Sequence, residues 1–179
     1  MQNKVLDFWF KEAGSEKWFE KSSVFDQVLI ERFTGVLEQA ARAEFYTWRT
    51  SAQGRLAEII VLDQFSRNIY RNTPAAFAQD PMALALAQEA VSAGVLQELD
   101  SIEVRNFVLM PYMHSESKLI HEQADALFKQ YSSEKTYGYE LRHKAIIDRF
   151  GRYPHRNEIL GRVSTEEELM FLKQPDSSF

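Results

Sequence analysis

Apolar residues recur every three to four positions along nearly the whole chain, the spacing of helices that bury one face. No run alternates apolar and polar residues as a half-buried strand would, and only seven Gly and five Pro interrupt the pattern. The spacing predicts a short helix over Lys4–Phe10 and, past Gly14, a second one carrying Trp18 and Phe19 with Ser15 as its cap. Longer helices follow at Val24–Phe45, Gly54–Tyr70 and Pro81–Ala93, the last with Pro in its first turn and Gly94 beyond its end. A long helix covers Ile102–Tyr131, kinked at Pro111, and another covers Glu134–Phe150. Short helices at His155–Leu160 and Thr165–Leu172 close the pattern, and Ser164-Thr165 ahead of three Glu is a capping signal. The expectation is an all-α fold, a compact multi-helix domain of antiparallel helix pairs forming a bundle or a helical-repeat superhelix.

Charged residues on the apolar stripes carry the candidate chemistry. Gly54–Tyr70 is apolar nearly all round, so it is the expected central helix, yet Asp63 and Arg67 sit four apart on its stripe. A charged pair there needs a partner or a ligand to offset desolvation, and both a structural salt bridge and a site role stay open. Asn68 and Arg71 extend the polar cluster. On Ile102–Tyr131, His114 and His121 share a stripe with Phe107, Met110 and Phe128, two turns or about 10 Å of helix rise apart. His114, followed by Ser115 and Glu116 after the expected kink, is the sharper candidate. His143 falls on the apolar face of Glu134–Phe150. No HxxxH or HExxH spacing supports a metal, and neither a metal nor another cofactor is expected.

Composition narrows the function classes. The chain has 179 residues, 45% of them apolar, and no cysteine, so disulfides and thiolate chemistry are excluded. One domain is expected over residues 1–173, with 174–179 a frayed tail. The longest apolar run is far short of the ~20 residues a membrane helix needs, and the N-terminal text lacks the apolar core of a secretion signal. A soluble cytoplasmic protein without membrane partners is expected. The net charge of −5 argues against a general nucleic-acid partner.

Against that acidic whole, residues 142–162 hold six Lys/Arg and only Asp148 and Glu158, a local balance of +4. Arg149, Arg152, Arg156 and Arg162 are interleaved with His155, Asn157, Gly151, Pro154 and Gly161. Guanidinium groups bind carboxylate or phosphate bidentately, so the segment is a candidate anion site. The alternative is that these arginines pair with acids such as Asp63, Glu116 and Asp148 and staple the C-terminal end to the core. The three acids Glu166–Glu168 read as a solvated first turn. There is no nucleophile elbow, Gly-rich phosphate loop or dinucleotide fingerprint.

The stretches VLDFWF (5–10), LDQFSRNIYR (62–71), PYMHSE (111–116), HKAIIDRFGRYPHRNEILGR (143–162) and STEEE (164–168) resemble a bacterial family of uncharacterised proteins, domain of unknown function 924. The resemblance spans essentially the whole chain. It implies a tetratricopeptide-like all-helical fold and assigns no reaction. It marks the same Arg, His and acid positions and departs at Ser66, where Pro is frequent, and after Glu116. The expected function is binding, with an anionic small molecule or an acidic peptide held by Asp63, Arg67, Asn68, Arg71, His114, Glu116, His143, Arg149, Arg152, His155, Arg156, Asn157 and Arg162. Hydrolase- or lyase-type acid–base chemistry on an anionic substrate, and a purely structural network, are the alternatives. The sequence sets neither ligand nor oligomeric state.

Overall fold

The stretch from Ala52 to Ile69 is too apolar to lie on a surface, and the rest of the chain wraps it. In the computed structural model, which describes residues 1–175, 177 and 178, α3 (Ala52–Ile60) passes through a π-helical stretch, Val61–Phe65, into α4 (Ser66–Ile69). All five residues of the π-helical stretch are buried, including Asp63 and Gln64. Such wide turns inside helices are frequent at functional sites. Around it lie α1 (Gln2–Asp7), α2 (Ser23–Ala41), α5 (Asp80–Ser92), α6 (Val95–Glu98), α7 (Ile102–Met113), α8 (Lys118–Tyr131), α9 (Glu134–Phe150) and α10 (Glu166–Phe171). α3 packs on α1, α5 and α7, α2 packs on α4, and the C-terminal half stacks α7 on α8 and α8 on α9. The fold is all-helical, with no strand among the described residues.

Phe8, Trp9, Phe33, Phe65 and Phe107 fill the main core. Phe33 meets Phe65 at 4.9 Å between ring centroids, and Trp9 meets both Phe65 and Phe107 at 5.6 Å. Each such pair contributes about 0.5–1.5 kcal/mol beyond its buried area. A smaller cluster of Ile146, Ile147 and Tyr153, covered by Phe150 and Phe171, holds the C-terminal segment.

Several expectations shift. Residues 15–19 form turns rather than a helix, because Trp18 swings back to donate its indole N–H to the Trp9 carbonyl at 2.8 Å. The long helix over 102–131 is two helices. Pro111 sits inside α7 without ending it, and the break comes at His114–Ser117, so His114 and His121 belong to different helices. Residues 154–156 form a single 3₁₀ turn where a short helix was expected. Thr165 does cap α10 in a full capping box with Glu168. Of the expected tail, residues 176 and 179 lie outside the described residues, and the Ser177 hydroxyl donates to the Leu172 carbonyl at 3.1 Å.

Gly54 is where α3 touches the 3₁₀ turn Tyr46–Thr50. A Cβ there would stand 2.0 Å from the Trp48 carbonyl oxygen, a backbone atom with nowhere to yield. Gly54→Ala is expected to destabilise the protein by about 1–3 kcal/mol despite alanine's better helix propensity. Urea denaturation checks it, and an unchanged or raised midpoint would show that the turn moves freely.

Candidate functional site

The π-helical turn places Asp63 in the core, fully buried. Its carboxylate accepts from Gln64 Nε2 at 2.6 Å, lies 3.1 Å from Arg67 Nη1, and stands 2.7 Å from His114 Nδ1 at the end of α7. Burial alone would raise Asp63, but Arg67 and His114 reverse that and hold it well below the usual carboxylate range. Burial lowers His114, and Arg67 lowers it further, outweighing Asp63 and Asp80, which favours the neutral imidazole. An ionised carboxylate only accepts, so the His114 proton sits on Nδ1 and Nε2 keeps its lone pair. Nε2 hydrogen-bonds to no described residue, and His114 lines a cleft.

Arg67 then bridges. Its Nη1 and Nη2 reach Asp80 at 2.9 and 3.0 Å, at the first turn of α5. Arg156 arrives at the same carboxylate from the 3₁₀ turn, but at a long 3.3 Å, and donates to the His114 carbonyl at 3.1 Å. The Arg156 guanidinium lies between the Phe77 and Tyr153 rings, each centroid 4.6 Å away, an arrangement that suits a cation. It is 6% exposed, and its Nε is buried with no partner among the described residues. Burial lowers its pKa, and so does the neighbouring charge of Arg67, yet a guanidinium keeps its proton.

A second layer fastens this cluster to the C-terminal segment. Glu116 takes Arg162 through both oxygens, at 2.6 and 2.9 Å, and accepts the Tyr153 amide at 2.7 Å. Burial works to raise Glu116, but Arg162 and that amide outweigh it and hold it low. The buried Tyr153 hydroxyl donates to the Met113 carbonyl at 2.5 Å. Behind it, His121 joins Glu140 at 2.7 Å and the Ser115 carbonyl at 2.9 Å, and burial raises Glu140.

The three sequence stretches around Asp63, His114 and Arg156 therefore meet, but the basic segment does not act as one patch. Arg149 pairs with Glu167 on the surface. Arg152 takes both oxygens of Glu168, which is 1% exposed, so the supposed solvated turn supplies a buried partner. Asp148, an expected staple, pairs with Lys144 instead. Asn157 accepts from Arg162 and donates to Ser164. Arg71 turns to another carboxylate, Asp26, which it grips at 2.5 and 2.7 Å, and donates to the Asn68 side-chain oxygen at 3.1 Å. His143 bonds the Tyr139 carbonyl at 2.8 Å, and its ring and that of His155 lie against Tyr153.

Asp80, Phe77, Tyr153, Glu140 and Asp26 escaped the sequence reading. Asp80 had a visible signal, an acid just before Pro81, which marked a helix start and said nothing about a distant arginine.

The cleft beside this network has a volume of about 470 Å³. Phe77, Leu84, Pro111 and Leu160 form its apolar walls, and Asp80, His114, Glu116 and Arg156 supply its polar side. A second cleft of about 520 Å³ lies between His155, Arg162 and Leu169. Among the described residues, no group of three or more His, Cys, Asp and Glu side chains is placed to hold a metal ion. No helix among them is long and apolar enough to cross a membrane.

Residues 5–176 match the family model of bacterial proteins of unknown function DUF924. A solved structure of a protein of unknown function from Agrobacterium tumefaciens superposes with a TM-score of 0.90 at 37% identity, over 96% of each chain. No curated protein matches the chain.

Proposed function

The chain belongs to the bacterial family DUF924, and we propose that it binds a small organic anion in the cleft between residues 74–84, 111–116 and 156–160. The observation that carries this reading is Arg156. Three arginines of its segment hold well-matched carboxylates, Arg149 with Glu167, Arg152 with Glu168 and Arg162 with Glu116, and Arg142 lies over the Tyr139 ring. Arg156 has the His114 carbonyl and two aromatic rings around it, but its one carboxylate contact is long and to a group already held by Arg67, and its buried Nε has no described partner. A buried cation so poorly matched is costly unless an anion completes its shell. The small, largely apolar cleft favours a small molecule over an acidic peptide. Stapling accounts for Arg149, Arg152 and Arg162 and leaves the buried Arg156 without a carboxylate of its own. The stacking of α7, α8 and α9 supports a tetratricopeptide-like arrangement within one domain over 1–173.

The test is a thermal-shift series with simple carboxylates and inorganic phosphate on the wild type and on Arg156→Met, which keeps the stem and removes the charge. A ligand at a hundredfold excess over its dissociation constant adds about 2.7 kcal/mol of stability. A shift seen in the wild type and lost in the folded variant is expected. A shift that survives the substitution, or none with any anion, sinks the reading.

Acid–base chemistry on the same anion is a second reading, favoured by the carboxylate-backed, neutral His114. Its check is conversion of the bound ligand, followed by proton NMR and lost in His114→Gln while binding persists.

A further inference from the structure

The cleft joins two functions within one residue's reach. Arg156 donates to the backbone carbonyl of His114, so the guanidinium and the imidazole border the same space. One is a donor-only cation. The other presents an acceptor, because Asp63 fixes the proton on Nδ1 at 2.7 Å and leaves the Nε2 lone pair without a described partner. The rest of the lining is largely apolar, with Phe77, Leu84, Pro111 and Leu160, beside the carboxylates of Asp80 and Glu116. A ligand that satisfies all three carries a carboxylate, a hydrogen-bond donor close to it, and an apolar tail.

The charge of the donor can be chosen too. Burial and the field of Arg67 lower His114 against the pull of Asp63 and Asp80, which favours the neutral imidazole. An ammonium held against Nε2 would stand near Arg67 and Arg156, and the cleft's two carboxylates offset this only in part, because Asp80 is already bound by Arg67 and Glu116 by Arg162. A hydroxyl donates without adding charge.

Resting on the anion-binding reading above, we infer that the cleft takes a hydroxycarboxylate with an apolar tail, its carboxylate at Arg156 and its hydroxyl donating to His114 Nε2. Asp63 is the positioning residue. It holds the imidazole in the tautomer that accepts, and it does not touch the ligand.

Three matched probes separate the parts: phenyllactate, phenylpropionate and phenylalanine, which differ only in hydroxyl, hydrogen or ammonium beside the carboxylate. Calorimetric titration of the wild type is expected to give phenyllactate about tenfold tighter binding than either analogue, the worth of one well-placed hydrogen bond. In His114→Phe the preference for the hydroxyl is expected to vanish while phenylpropionate binding stays. Nitrogen-15 NMR of the wild-type histidines gives a second readout that needs no variant. The His114 Nε2 resonance should move on adding phenyllactate and stay put with phenylpropionate. Equal affinities for phenyllactate and phenylpropionate overturn the hydroxyl assignment and leave the anion site standing. Tighter binding of phenylalanine overturns the charge argument. Failure of all three probes, with no response to Arg156→Met in the carboxylate series, removes both.

Discussion

Lowering the pH from 7 to 5 is expected to cost the folded protein about 4 kcal/mol through two histidines alone. Burial pushes His143 down to about 3, only partly countered by the Tyr139 carbonyl, and burial with the Arg156 charge pushes His155 down to about 4. In the unfolded chain both return to an ordinary value near ~6.5. The unfolded state therefore binds more protons throughout this window, and stability falls as pH falls. Each histidine contributes about 2 kcal/mol over the two units, and the loss continues until the pH reaches the folded values. His114, lowered as well, acts in the same sense. Glu140 acts in the opposite one, since its raised carboxyl gains protons in the folded state first. The clean check is urea unfolding of the wild type and of His143→Leu at both pH values. The variant should show about 2 kcal/mol less pH dependence. Equal dependence would mean that His143 titrates normally in the folded protein.

Removing the Asp63 carboxylate is the second large effect. Asp63→Leu leaves Arg67 with Asp80 and the backbone carbonyl of residue 63, leaves Gln64 Nε2 with only the Met110 sulfur, and deprives His114 Nδ1 of its acceptor in a fully buried place. Breaking a buried pair from one side costs about 3–5 kcal/mol. The double change Asp63→Leu with Arg67→Met swaps the pair for apolar volume and is expected to recover a good part of that. It should not restore hydroxyl selectivity, because His114 then has no fixed tautomer. Guanidinium denaturation of both variants, with the phenyllactate titration, separates the two effects. If the single variant loses under about 1 kcal/mol, the carboxylate is not the keystone its contacts suggest.

How far these residues were legible differs from element to element. Helix Glu134–Phe150 was readable to the residue, and the structure shows why its ends are sharp: Ser133 caps it and Gly151 stops it in the left-handed region. The capping box at Thr165 was readable for the same reason, since caps and glycine stops act through neighbours along the chain. The inward pointing of Asp63 and His143 followed from helical spacing. The split of 102–131 was misplaced because proline marks a lost donor. The helix tolerates that loss inside α7 and ends where Ser115 and Glu116 are drawn to His121 and Arg162 instead.

What the sequence by itself determined is therefore local: an all-helical chain, a central buried helix carrying a charged pair, and a family signature gathered in five stretches. Only the tertiary structure decided which carboxylate each arginine meets. Arg152 finds Glu168, Arg162 finds Glu116, and Arg156 is left between two rings beside Asp80, 76 positions away. Periodicity and capping are settled within a few residues, whereas charge pairing depends on segments far apart in the chain arriving in one place. A buried guanidinium without a carboxylate of its own, beside one imidazole lone pair, is what turns a stapled core into a candidate site.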